Sequence, residues 1–169
     1  MKRNSSYLAK HNMEVVSGSG VVNPSSIDWN KYTGKNFPYT IRQKPGPNNS
    51  LGRVKFLFPN SYSIYLHDTP AKSLFNESSR AFSHGCIRVG EPQRLAEYLL
   101  RNDSVWTADK IEKAMNSDKE TSVTLSTPVP VFIAYFTAWV DRSGKINFRD
   151  DIYGHDARLA RVMFNNPAL

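Results

Sequence analysis

The only cysteine of the chain, Cys86, stands in the run FSHGCIRVGE at 82–91, two residues after His84 and two before Arg88. A second histidine, His67, closes the run YSIYLH at 62–67 and is followed at once by Asp68. A free thiol with a pKa of ~8.5 is only a few per cent thiolate at neutral pH, so it is a weak nucleophile until something takes its proton. An imidazole within hydrogen-bonding reach can take it and hold it as imidazolium. Favouring the thiolate by two pKa units corresponds to about 2.7 kcal/mol, within what a close imidazolium provides. Such a base needs a partner for its other ring nitrogen, and Asp68 offers both a carboxylate and a backbone carbonyl. Cys86, His67 and Asp68 are therefore the candidate catalytic residues.

Three neighbours add to this chemistry. Gly85 lacks a Cβ, so a substrate carbonyl could come close to the backbone, where the Cys86 amide would donate to a developing oxyanion. Tyr65 could offer its hydroxyl to the same oxygen, although it reads equally well as a plain strand aromatic. Arg88 carries a planar fork suited to a carboxylate. Two blander readings stand beside the nucleophile. A lone cysteine in an apolar strand is commonly a small core residue, but His84 and Arg88 on its face would then need buried partners. A zinc site from His67, His84, Cys86 and His155 would rest on an H-x-C pairing that is not a common structural spacing, with no second cysteine to help.

These residues must be held by extended elements. Side chains alternate faces along a strand, so YSIYLH puts Ser63, Tyr65 and His67 on one side. AFSHGCIRV, read as a second strand, does the same for His84, Cys86 and Arg88. Upstream, FPYTIRQ and RVKFLF suggest extended segments around the breaker-rich KPGPNNSLG, and Tyr7–Lys10 suggests a short helix leading into MEVV. From Ser17 to Asn36 the sequence is turn-rich, with Trp29 and Tyr32 as its main apolar anchors. Downstream, Pro92 suits a first helical position, and Leu95, Tyr98 and Leu99 form a helical stripe supported by a Glu97–Arg101 pair. A second helix is expected over Ala108–Asn116 with Thr107 as N-cap. SVTLS, VPVFIAYFTAWVD and KINFRD read as strands, the last two as a hairpin, and a short helix is expected around Ala157–Phe164. The expected class is β-rich α+β: a mixed sheet, one helical pair and an inserted loop.

With 169 residues the chain has the length of about one domain, and 40% hydrophobic and 12% aromatic residues are enough for a core. No window approaches the ~18 apolar residues of a membrane span. The start, MKRNSSYLAKHNMEV, has no apolar h-region, so no secretory signal is expected in this chain and Met1 reads as a fragment start. The net charge of +7 is scattered rather than gathered in a run, which argues against nucleic acid as a partner.

The order His67, fifteen intervening residues, then SHGCIRV at 83–89 resembles the signature of the YkuD-type L,D-transpeptidases. IYLHDTPAKSLF, PGPNNSLGRVKF at 45–56 and DIYGHD near the end resemble the YcbB-like subgroup, which carries a substrate-capping insertion. The resemblance implies a single, partial catalytic domain over 1–169, with 10–50 as the capping insertion and a longer parent that resides in the periplasm or cell envelope. It implies that Cys86 is the nucleophile and His67 the base, oriented by the main-chain carbonyl of Asp68. Tyr65, Ser83, His84, Gly85 and Arg88 would then bind substrate. The implied reaction forms 3→3 peptidoglycan cross-links through a thioester and releases D-alanine from tetrapeptide stems. No metal or organic cofactor is implied, and carbapenem β-lactams are the implied covalent inhibitors. Water or a lipoprotein lysine as acceptor, or a non-catalytic wall-binding module with an inert thiol, remain the alternatives.

Overall fold

The computed structural model describes residues 6–18, 20–83 and 85–164. They fall into two compact units, Met1–Pro128 and Val129–Leu169. Helix and small mixed or antiparallel sheets alternate along the chain, an α+β arrangement.

In the first unit, helix α1 (Tyr7–Lys10) leads into strand β1 (Met13–Ser17), the centre of a three-stranded antiparallel sheet with β2 (Gly20–Val22) and β3 (Thr40–Gln43) at its edges. Val15 pairs with Val22 on one side and Ile41 on the other, and it is the one side chain wholly out of solvent among the described residues. Leu8 and Ile27 complete a small core, with Met13, Trp29, Tyr32 and Tyr39 packed around it. Phe37 stacks on Trp29 at 5.5 Å and meets Tyr39 edge-on at 5.4 Å. The anchors of this turn-rich stretch are thus more numerous than Trp29 and Tyr32. Side-chain caps take the place of regular pairing in its loops. Asn23 accepts from the Ser25 amide, Asp28 from the Asn30 amide, and the Trp29 indole donates to the Pro24 carbonyl at 3.1 Å.

The sheet that matters for the chemistry consists of β4 (Lys55–Phe56), β5 (Leu66–His67) and β6 (Ile87–Arg88), in that order. β4 and β5 run antiparallel, while β5 and β6 run parallel, so the chain must cross over between them through residues 68–86. Strands β5 and β6 are shorter than the alternating patterns suggest, for local reasons. Ser63 adopts φ +55° and Gly85 φ +127°, and neither is compatible with a continuous pleat. Ladder pairing therefore begins only after each of them.

Beyond β6, helix α2 (Pro92–Leu99) starts on its proline and buries Pro92 and Ala96. It packs with α3 (Ala108–Met115), where Thr107 caps the Lys110 amide and Ile111 is buried. Tyr98 is exposed, and Arg101 turns back over its ring at 4.1 Å instead of pairing with Glu97.

The second unit contains the hairpin of β7 (Ala138–Val140) and β8 (Ile146–Phe148), followed by α4 (His155–Phe164). Its turn is organised by Asp141, whose carboxylate accepts from Ser143, Lys145 and Asn147. These bonds, first those of the Ser143 hydroxyl and the Asn147 amide, hold its pKa down at about 2. The strand expected at 122–126 is not formed, and of the one expected across 129–141 only Ala138–Val140 is. Pro128 and Pro130 remove two ladder donors, and Phe132 is 92% exposed.

Candidate active site

The register of the short sheet decides whether the histidine and the thiol can meet. Lys55 lies opposite His67, and His67 opposite Arg88, so these three share one transverse row and one face. Phe56, Leu66 and Ile87 form the next row on the opposite face. Just before these rows, outside the ladder, stand Tyr65 and Cys86, and the Ile87 amide donates to the Tyr65 carbonyl at 3.0 Å. Cys86 thus directly precedes β6, two residues before the residue that lies opposite His67.

His67 is 5% exposed, and its Nδ1 lies in hydrogen-bond contact with the carbonyl oxygen of Asp68. A carbonyl has no proton to give, so in this contact Nδ1 carries the hydrogen and donates. In the neutral ring, Nε2 is then left with its lone pair, which is the state a general base requires. Burial of His67 and Asp68 keeps water from competing for that bond.

Asp68 is itself 6% exposed and fully engaged. One carboxylate oxygen accepts from the Arg53 amide at 2.9 Å, and the other pairs with the Lys72 ammonium at 2.7 Å. Burial pushes its pKa up. The bonds from Lys72, Arg53 and the Thr69 amide outweigh this and hold the carboxyl below the usual aspartate value. Gly52, with φ +66°, lies against it: a Cβ there would come 2.4 Å from the Asp68 side chain. Only glycine suits both the space and the backbone conformation.

The cysteine is half-buried and free. Its thiol donates to the Ser63 carbonyl at 3.9 Å. Burial, followed by its interaction with Cys86, raises the Tyr65 pKa, so the phenol keeps its proton. The Tyr65 ring meets the His67 ring at 5.8 Å in a tilted arrangement. Ser83 donates through its hydroxyl to the Cys86 carbonyl at 3.2 Å, closing the turn over Gly85. A Cβ on Gly85 would meet only Ile64, at an ordinary 3.7 Å. The demand for glycine here comes from φ rather than from space. Arg88 is half-buried in the His67 row, and its side chain makes no hydrogen bond or ion pair with the described residues. His84 lies outside the described residues. Among the described residues no group of three or more His, Cys, Asp or Glu side chains could hold a metal ion.

A family model described as the YkuD L,D-transpeptidase catalytic domain matches residues 2–133. The chain belongs to that family. A Haemophilus influenzae protein named "Putative L,D-transpeptidase" is 41% identical over 166 residues, which is 98% of this chain and 33% of the relative. The chain thus spans about a third of the length of the curated relative it matches. No helix among the described residues is long and apolar enough to cross a membrane.

Within this L,D-transpeptidase family chain, the structure brings Cys86, His67, Asp68, Tyr65, Ser83 and Arg88 into one neighbourhood around β5 and β6. Sequence reasoning missed the residues that hold them: Gly52 and Arg53 before β4, Ser63 beneath the thiol, and Lys72 after the histidine. Lys72 carried a usable signal, an opposite charge four positions after Asp68. Asn60 is a further one. Its amide nitrogen donates to the Phe58 and Ile64 carbonyls, and its oxygen accepts from the Tyr62 and Ile64 amides. This fixes the turn that presents Ser63.

Proposed function

We propose that the chain carries the acyl-transfer centre of a cysteine-dependent L,D-transpeptidase acting on peptidoglycan stem peptides in the periplasm or cell envelope. The observation that supports this reading most is that His67 lies opposite Arg88, two residues after Cys86, with the imidazole hydrogen-bonded to Asp68 through Nδ1.

In the proposed reaction, Nε2 of His67 takes the thiol proton, and the Cys86 sulfur attacks the carbonyl between residues three and four of a tetrapeptide stem. The Cys86 amide donates to the oxyanion, and the Tyr65 hydroxyl, which lies beside Cys86, donates to the same oxygen. The C–N bond breaks, the imidazolium protonates the departing amine, and D-alanine leaves. The side-chain amine of diaminopimelate on a second stem then attacks the thioester. Its proton passes through His67 back to sulfur, and a 3→3 cross-link is released with the thiol restored. Arg88 binds a stem carboxylate, while Ser83, His84 and Gly85 shape the approach. Side chains alone balance every step, so no cofactor enters. The segment 10–50, built around β1–β3, serves as a cap of the YcbB-like kind.

Carbapenems open by the same acylation, so intact-mass spectrometry after incubation tests the nucleophile. One adduct is expected on the native chain and none on Cys86→Ala. An equal adduct on the substituted protein would reject Cys86. Muropeptide analysis tests the acceptor: dimers indicate a stem amine, and shortened tetrapeptides without dimers indicate water.

A further inference from the structure

The strand that carries His67 and the strand that follows Cys86 share a ladder of only two residue pairs. Something besides that ladder must keep their ends aligned, and Lys72 is placed to do so. It opens the 3-10 turn Lys72–Asn76 in the crossover. Its ammonium donates to Asp68 Oδ1 at 2.7 Å, to the Gly90 carbonyl at 3.1 Å and to the Val89 carbonyl at 3.4 Å. The first acceptor belongs to the residue that holds the His67 ring, and the other two lie just past β6. One cation therefore ties the two strand ends together behind the site. The remaining groups of residue 68 are fixed as well. Its amide donates to the Val54 carbonyl at 2.9 Å, its second carboxylate oxygen accepts from Arg53, and the Val89 amide donates to the His67 carbonyl at 2.8 Å.

We propose that Lys72 is a positioning residue for the proton transfer. By clamping the Asp68 carboxylate to the 89–90 backbone, it fixes the plane of the 68–69 peptide. The Asp68 carbonyl then stays in line with Nδ1, and His67 is held in the tautomer whose Nε2 lone pair faces the thiol. The side chain of Lys72 is about half-exposed, so its charge is screened, and its main contribution is geometric. This inference rests on His67 acting as the base for Cys86.

The test uses Lys72→Met and Lys72→Arg in the full chain, with two readouts. One is the second-order rate of carbapenem acylation of Cys86 as a function of pH. The other is the tautomer of the His67 ring, read from long-range proton–nitrogen spectra. Lys72→Met should lower the rate roughly ten- to a hundredfold, the scale on which small misplacements act. It should also convert a single Nδ1–H tautomer into a mixture. Lys72→Arg, whose fork can span the same acceptors, should recover most of the rate. An unchanged rate with an unchanged ring spectrum would overturn the proposal, as would a lower melting temperature accompanied by neither change. If Lys72→Met does not fold, Asp68→Asn weakens the same clamp at the other end, and an unaltered His67 spectrum there would overturn it equally. If the unsubstituted chain is not acylated, the proposed function fails, and the ring spectrum still decides whether Lys72 sets the tautomer.

Discussion

His67 donates its Nδ1 hydrogen to the carbonyl of its own neighbour, Asp68, while Cys86 stands just before the adjacent parallel strand. The bond fixes which ring nitrogen is free, and the register fixes which face it serves. Replacing the ring by an amide should remove base function while leaving a side chain of similar size. His67→Gln is therefore expected to slow carbapenem acylation of Cys86 by roughly 10²–10⁴-fold, the usual range for a general base. A rate within a factor of a few of the native one, with the fold intact by circular dichroism, would remove His67 from the mechanism.

The Tyr65 phenol lies beside Cys86 and keeps its proton. A hydrogen bond to a charged group contributes on the order of 1.5–3 kcal/mol, or about ten- to a hundredfold in rate if it is carried into the transition state. Tyr65→Phe should thus reduce acylation on that scale and leave thermal stability nearly unchanged. Equal rates would make Tyr65 an ordinary strand aromatic.

The space at Gly52 gives a stability prediction. An added methyl would collide with the Asp68 side chain at 2.4 Å and sit at φ +66°. Gly52→Ala should cost roughly 2–4 kcal/mol, combining backbone strain with overpacking. Denaturant midpoints measure this, and a loss below about 1 kcal/mol would mean that the Asp68 contact gives way easily.

Acid should loosen the same corner. The folded pKa of Asp68 lies below its ordinary value. Its contribution to stability is therefore complete above the unfolded value of ~3.9 and is lost as pH falls through the lower folded value. Stability measured from pH ~6 down to pH ~3 should fall, and Asp68→Asn should flatten that slope. Parallel slopes for the two proteins would show that Asp68 does not contribute to it.

The first sheet depends on one residue. Val15 is fully buried between Val22 and Ile41. Val15→Ala should cost about 2 kcal/mol from lost burial and the cavity left behind. Because Val15 belongs to a different sheet from Cys86, acylation by the folded protein should remain. A parallel loss of acylation would mean that the first sheet is needed for chemistry.

Much of this arrangement could be read before any coordinates. Period-two alternation placed Tyr65 with His67, whose rings lie 5.8 Å apart, whereas Cys86 stands outside the ladder that pairs His67 with Arg88. Tyr7–Lys10, the proline-led helix at 92, the Thr107 cap and the 138–148 hairpin were legible because each rests on local chemistry within a few residues. The breaks in the pleat at Ser63 and Gly85 were not. A positive φ at a serine has no sequence signal, and glycine permits the conformation without demanding it. The strand expected across 129–141 formed only at Ala138–Val140, because an apolar run reports burial but not the presence of a ladder partner. Arg53 meets Asp68 through a backbone amide and Gly52 by close packing, contacts that are set by tertiary geometry and have no periodic signature.

An acceptor drawn from the main chain cannot be deleted by changing one side chain. Whatever amino acid stands at position 68, an oxygen remains there to receive the imidazole proton. The weak points of such a device lie one step out, at the positions that steer the peptide plane. Loss-of-function substitutions should therefore collect at Gly52 and Lys72 as readily as at the aspartate between them.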